Sequence, residues 1–376
     1  MMNIGIDVKS LSKRYTGIAV YIYDLIRYFN ELDNVDEFFL YSHKPFELDF
    51  KLNKNFHKRI YKGITGSIGV MFQLSKRLRN DNIDLFWGPE HCLVWGKQKF
   101  KQVVTIHDLA VLHNPNVGTR YNALLQRFMT IPSCRNADKI IAISQSTAND
   151  VIQTTGVDKN KIQIIYNGDS PYIEKNKTYT VEEQKEIENK FSIKKGYFFL
   201  FVGSIEPRKN IETIIDAYSM YRKSGDFKLV LAGGLGWRYR KIINKIQESP
   251  YKSDIILTGY CSSEEKEFLY RNTASLVFPS LWEGFGFPIV EAMSVGAPVI
   301  TARVSSLPEV GGDCAFYIDN PLDYIGLSKL MIQIQNLDDD QRELLSKKNK
   351  SQAALFSRRF CAKETLDLFH KCYSKL

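Results

Sequence analysis

Two glutamates, Glu283 and Glu291, stand with seven residues between them in the stretch FPSLWEGFGFPIVEAMSVGAP. Gly284, Phe285 and Gly286 lie in that interval, followed by Pro288. An apolar run ending at Phe278 reads as a buried strand that Pro279 and Ser280 close. Pro288 suits the first turn of a helix that carries Ile289, Val290, Met293 and Val295 inward and stops at Gly296. A helix start after a glycine bend aims backbone N–H groups and the positive end of the helix dipole at one spot, which suits phosphate. The two carboxylates would repel a phosphate, so they read as acceptors for sugar or ribose hydroxyls. The combination points to a nucleotide sugar. Taken alone, the stretch reads more readily as a helix start packed by glycines, with two solvated glutamates.

A second set of residues bears on that choice. Arg208 and Lys209, in SIEPRKN, stand between the strand YFFLFVG and the helix after it. Cations at a helix N-terminus oppose its dipole, so they need a reason to be there, and an anion held between them supplies one. His107 and Asp108 follow the apolar run VVTI and so lie at the carboxyl end of a strand, where open α/β sheets place ligands. A turn cap is an equal reading of His107. Ser144, after IIAI, offers an anion or hydroxyl site, although a helix cap alone explains it. Gly17, in a basic loop leading to a helix, permits close approach of a ligand or is an ordinary turn glycine.

These residues require strand ends to hold them, and the chain supplies such ends repeatedly. Strands are expected at Ile4–Val8, Glu37–Tyr41, Ile83–Trp87, Gln102–Ile106, Lys139–Ile143 and Ile162–Ile165, with helical patterns between most of them. The helix from Gly17 should bury Val20, Tyr21, Leu25 and Tyr28. A second alternating series begins with YFFLFVG, a helix from about Asn210 to Tyr221, and KLVLAG. It continues at Asp254–Leu257, Ser275–Phe278, Pro298–Thr301 and Ala315–Ile318. Alternation of this kind means mainly parallel sheets covered on both faces. The fold class is therefore α/β, with two Rossmann-like parallel-sheet domains in tandem. The expected boundaries are 1–171 for the first domain, a polar linker over 172–195 and 196–357 for the second, the tail after Asp319 being helical.

At 376 residues the chain is too long for one compact core. Aromatic residues make up 12% and charged residues 25%, a globular composition. The formal charge of +9 is spread widely, which favours anionic substrates or an anionic membrane surface and not nucleic acid. Six cysteines show no C-x-x-C pair or zinc-ligand spacing, so no metal or disulfide framework is expected and they read as reduced thiols in cytosol. The N-terminus reads as a first strand and not a signal peptide, and no apolar run approaches the roughly 20 residues that span a bilayer. No G-x-G-x-x-G follows the first strand, which argues against a dinucleotide-dependent dehydrogenase.

With FVGSIEPRKN, GGLGW, LTGY and FPSLWEGFGFPIVEAMSVGAPVI in order, the second half resembles the retaining glycosyltransferases of family 4, which have the two-domain GT-B fold. TGIAVYIYDL, TIHDL and SQSTANDVI extend the resemblance over nearly the whole chain. It implies two domains with a central cleft and a C-terminal helix, 358–376, returning to the N-terminal domain. It further implies a donor nucleotide sugar bound on the second domain and an acceptor on the first. By resemblance, Arg208 and Lys209 would grip the diphosphate and Glu291 the ribose hydroxyls. Glu283 would touch hydroxyls of the transferred sugar, near the amides of Gly284, Phe285 and Gly286. His107 would reach the sugar or reacting centre, Gly17 would pack near the diphosphate, and Asp108 and Ser144 are candidates for the acceptor side.

Some relatives carry an arginine where this chain reads Ser204-Ile205, so the diphosphate would depend more on Arg208 and Lys209. Those two cations can replace a metal, and no Asp-x-Asp pair at a strand end offers to bind one; no cofactor is expected. SIEPRKN and GGLGW are similar to segments of mannosyl-transferring relatives in bacterial surface polysaccharide assembly, which makes GDP-mannose the first expected donor and a UDP-sugar the second. The acceptor would be a saccharide or lipid-linked saccharide, with peripheral contact at the cytoplasmic face of a membrane. A nucleotide-sugar epimerase of the same architecture and a non-catalytic binding protein are the rival readings.

Overall fold

Apolar runs that are buried on both faces become the central strands of two parallel sheets, and the polar-edged segments between them become their covering helices. The computed structural model describes residues 1–12, 17–61, 67–113, 124, 126–168, 173 and 177–374, with the backbone alone over 67–72. The chain divides into two compact units, Met1–Gly168 with Ser357–Leu376, and Asp169–Phe356.

In the first unit the strands are β1 (Asn3–Asp7), β2 (Glu37–Ser42), β3 (Phe56–Ile60), β4 (Leu85–Gly88), β5 (Lys101–Ile106), β6 (Lys139–Ala142) and β7 (Ile162–Ile164). Their order is β3-β2-β1-β4-β5-β6-β7 and every pairing is parallel. The order reverses between β1 and β4, which opens a crevice at their carboxyl ends. β3 was not expected from sequence: in FHKRI only Phe56 is buried, the pattern of an edge strand half in water. On the helix Gly17–Leu32, Tyr21 and Leu25 are buried as expected, whereas Val20 and Tyr28 are only half-buried and Ile22, Ile26 and Phe29 fill the core.

The helix Arg358–Tyr373 packs against Gly17–Leu32, with Phe369 edging on Phe29 and Trp87. Arg358 pairs with Asp24 at 3.3 Å, both buried. Removing either partner would strand a charge in the core, which fixes where the returning helix begins.

In the second unit the strands are β8 (Phe198–Val202), β9 (Lys228–Ala232), β10 (Ile255–Gly259), β11 (Ser275–Phe278), β12 (Val299–Ala302) and β13 (Phe316–Ile318). The order is β10-β9-β8-β11-β12-β13, again parallel throughout, with the reversal between β8 and β11. The polar stretch expected as a linker contains the helix Val181–Phe191, closed by a Thr180–Glu183 capping box. Ile187 and Phe191, one turn apart, are buried, and the helix groups with the second unit. Two anchors suffice to dock it but are too few to show as an apolar stripe.

Candidate functional site

The loops after β8 and β11 meet at the reversal point of the second sheet. After β8, Pro207–Lys209 makes a single 3-10 turn and Asn210, at φ 59°, caps the helix Ile211–Tyr221. The Asn210 side-chain amide donates to the carbonyls of Pro279 at 2.9 Å and Pro321 at 2.6 Å, and its oxygen accepts from the Thr213 hydroxyl at 2.7 Å. The backbone adds a bond from Leu281 N–H to Arg208 O at 2.9 Å. The basic turn is thereby fixed to the FPSLWEG loop.

The side chains then converge. Arg208 donates to Glu283 at 2.8 Å and to the Trp282 carbonyl at 2.9 Å, and it also reaches Glu206 at 3.1 Å. Lys209 donates to the other Glu283 oxygen at 2.6 Å and lies over the Phe278 ring. Glu283 is only 8% exposed. Burial works against its charge, but Lys209 and Arg208 outweigh burial and hold the carboxyl down at about 2. Burial likewise lowers the Lys209 ammonium, aided by Arg208 and opposed by Glu283. A solvated glutamate does not describe Glu283.

Glu283 is held through its backbone as well. Its N–H donates to the Ser305 hydroxyl at 3.0 Å, and the Ser306 hydroxyl donates to the carbonyls of Glu283 and Phe285 at 2.9 Å each. Gly286 caps the helix Phe287–Ser294 at φ 107°, a conformation that suits glycine, and Pro288 falls in the first turn as expected. Ile289, Val290 and Met293 are buried; Val295 is a half-buried C-cap. Phe285 packs its side chain into the core against Phe287 and Phe356. Gly284 is buried in the same bend.

Glu291, 7% exposed, has separate partners: the Tyr270 hydroxyl at 2.7 Å and the Lys266 ammonium at 3.1 Å. Burial, then the Glu291 charge, push the Tyr270 phenol well above its ordinary value. Sequence reasoning singled out both glutamates but missed Glu206, Asn210, Lys266, Tyr270 and the Ser305–Ser306 pair. The serines carried a signal, since they follow the strand VITA.

In the first unit His107 follows β5, buried, with Nε2–H donating to the Pro89 carbonyl at 2.8 Å. That bond leaves Nδ1 as the acceptor. Burial, then His91, lower its pKa to about 4, so the ring is neutral at neutral pH. Asp108 accepts the Ala110 N–H at 3.3 Å. Ser144 is a fully buried cap that accepts the Thr147 N–H at 3.0 Å, in agreement with the capping reading. Gly17 is the exposed first residue of its helix, with open space around it.

Among the described residues, the group with metal-ligand geometry is Asp33, Asp36 and His370. Its oxygens already serve the fold: Asp36 accepts from Met2 N–H at 2.7 Å and from His370 at 2.6 Å, and Asp33 from Val35 N–H at 2.8 Å. The cluster ties the last helix to the first strand's entry.

Comparison with known proteins decides the family. The family model for Glycosyl transferases group 1 matches residues 182–352, and that for Glycosyltransferase Family 4 matches residues 15–169. The chain is a family 4 glycosyltransferase. Its two Rossmann-like parallel sheets are those of the GT-B fold. It is 28% identical over 295 residues to the O-antigen chain mannosyltransferase B of Escherichia coli, covering 78% of this chain and 75% of that one. It is 32% identical over 293 residues to the serotype-specific mannosyltransferase WbdA of Escherichia coli, covering 74% of this chain but only 34% of that one. Anabaena Alr3699/HepE, solved in complex with UDP and glucose, superposes with a TM-score of 0.76 at 16% identity, over 98% of this chain and 100% of that one.

Proposed function

We propose that this glycosyltransferase moves a hexose from a nucleotide-diphosphate sugar, GDP-mannose first and a UDP-sugar second, to a saccharide or lipid-linked saccharide in surface polysaccharide synthesis, with retention at the anomeric carbon. The observation that carries this reading is the cluster of Arg208, Lys209 and Glu283 at the β8/β11 reversal. When the bond from the anomeric carbon to the diphosphate oxygen breaks, negative charge collects on the leaving phosphate. Arg208 and Lys209, fixed before the reaction begins, lower the barrier without reorganising. They supply the charge that a divalent cation would otherwise bring, so the reading includes activity without added metal.

Glu283 stays ionised to about pH 2, so it serves as an acceptor for sugar hydroxyls and keeps both cations aligned, and it is no general acid. Glu291 takes the ribose hydroxyls, already oriented by Tyr270 and Lys266. His107 offers a neutral Nδ1 to a sugar hydroxyl. Departure and attack occur on the same face of the sugar, since nothing assigns Glu283 a nucleophile's position. The names of the Escherichia coli relatives support mannose, and HepE with UDP and glucose supports the donor class.

No helix of the described residues is long and apolar enough to cross a membrane. With a charge of +9, peripheral contact with an anionic surface is part of the reading, and it predicts vesicle co-sedimentation that high salt abolishes. The deciding experiment is thermal-shift screening against GDP-mannose, UDP-glucose and UDP-galactose, followed by transfer to a mannoside and NMR of the product's anomeric proton. Retention with activity unchanged by EDTA is expected. Stabilisation by none of the three, or a rate abolished by EDTA and restored by magnesium, overturns it.

A further inference from the structure

The reversal point of the first sheet, between β1 and β4, carries a residue to which nothing above assigns a role. His91 lies in the loop after β4 and is held at φ 59°, a backbone region that few non-glycine residues occupy. Its N–H donates to the Thr105 carbonyl at 3.1 Å, and His107 pins the same loop through the Pro89 carbonyl. The loop doubles back so tightly that a Cβ on Gly88 would lie 2.0 Å from the Cys92 carbonyl. The backbone of His91 is therefore held in place, while its half-buried ring keeps the side-chain rotation that can turn Nδ1 outward.

Its ring tilts against that of His107, centroids 5.4 Å apart. The Nδ1 atom is buried, and no described residue hydrogen-bonds it. Burial, then Lys9, push its pKa down to about 4, so the ring enters neutral. Lys9 is itself matched by Asp7 at 3.0 Å and Glu90 at 3.5 Å, and Ser10 donates to Glu90 at 2.7 Å. A strained backbone and an uncompleted buried nitrogen both cost stability, and such features persist where a ligand completes them. The balance of Lys9 against two carboxylates disfavours an anion beside this ring. A hydroxyl group can satisfy Nδ1 in either tautomer because it both donates and accepts.

Resting on the function proposed above, we infer that His91 binds the saccharide acceptor, its Nδ1 hydrogen-bonding one acceptor hydroxyl beside His107. The test uses full-length protein, the donor identified by the screen and methyl α-mannoside as acceptor probe. His91→Gly removes the ring and suits the positive φ, so the variant should still fold. Its acceptor KM should rise about tenfold, the worth of one hydrogen bond, with donor KM within twofold. His91→Asn tolerates the same φ and places an amide atom near Nδ1, so it should recover most of the loss. His91→Gln reaches only toward Nε2 and should not. An unchanged acceptor KM in His91→Gly, equal rescue by Gln and Asn, or parallel shifts in both KM values overturns the inference. Wild-type protein that transfers from none of the nucleotide sugars overturns the functional reading itself, whereas an active wild type matched by His91→Gly removes this inference alone.

Discussion

Lys209 donates to Glu283 at 2.6 Å although the two residues are 74 positions apart and belong to different strand-end loops. One carboxylate thus holds two cations ready at a place where a diphosphate would need them. Glu283→Gln keeps the shape and removes the charge between Arg208 and Lys209, leaving Glu206 on Arg208 as the remaining carboxylate. The variant should lose about 1–3 kcal/mol, less than for fully buried pairs because the Arg208 side chain is 20% exposed. Inorganic pyrophosphate should stabilise it more than it stabilises the wild type, while transfer falls. Thermal unfolding with and without pyrophosphate reads both effects, and a smaller pyrophosphate shift in the variant would place the anion elsewhere.

The acid limb of stability should fall in two steps. His91 and His107 are both held at about 4, below the ordinary 6.5, so the unfolded chain takes up their protons first. Their contribution is present above pH 6.5 and is lost as pH falls toward 4. Glu283, at about 2 against an ordinary 4.5, contributes roughly 3 kcal/mol that is lost only between those two values. Urea unfolding from pH 7 to 2 should show the upper step flattened in a His91→Gly, His107→Gln double variant and the lower step flattened in Glu283→Gln.

Asn210 is the joint that aims the basic turn. Asn210→Gly preserves the φ of 59° but removes the bonds to Pro279 and Pro321, so it should cost about 1–3 kcal/mol. Asn210→Ala adds the strain of a left-handed alanine and should cost more. In both, transfer should fall further than the stability loss accounts for at 25 °C, because Arg208 and Lys209 lose their fixed aim. Rates measured well below the melting temperature separate the two effects.

The strands were readable because buried parallel strands are continuous apolar runs, and YFFLFVG needs no partner to declare itself. The edge strand FHKRI was not, since only Phe56 is buried. Arg208, Lys209 and Glu283 were each legible as chemistry, but their union was not, as it depends on Asn210 adopting a left-handed cap that no local pattern announces. His91 went unread for a similar reason. Its significance lies in a positive φ and a buried nitrogen, and both are properties of the folded loop. Ser144 shows the reverse case, a residue whose local capping pattern already accounted for it.

Glu291 and His107 should fail in different ways. Glu291 is held by Tyr270 at 2.7 Å and Lys266 at 3.1 Å. Glu291→Ala removes a charged acceptor that would bind ground state and transition state alike, so donor KM should rise by about tenfold or more with kcat little changed. The buried Tyr270 hydroxyl loses its acceptor and Lys266 loses one contact, so stability should drop by about 1–3 kcal/mol. His107 is neutral and fixed by Pro89; on the proposed function it would meet a sugar hydroxyl only as the reaction proceeds. His107→Ala should therefore lower kcat by about tenfold or more while donor affinity stays within twofold. Initial rates over a donor series, paired with donor binding by calorimetry, distinguish the two patterns. Equal and small effects from both substitutions would mean that neither residue touches the reacting sugar nucleotide.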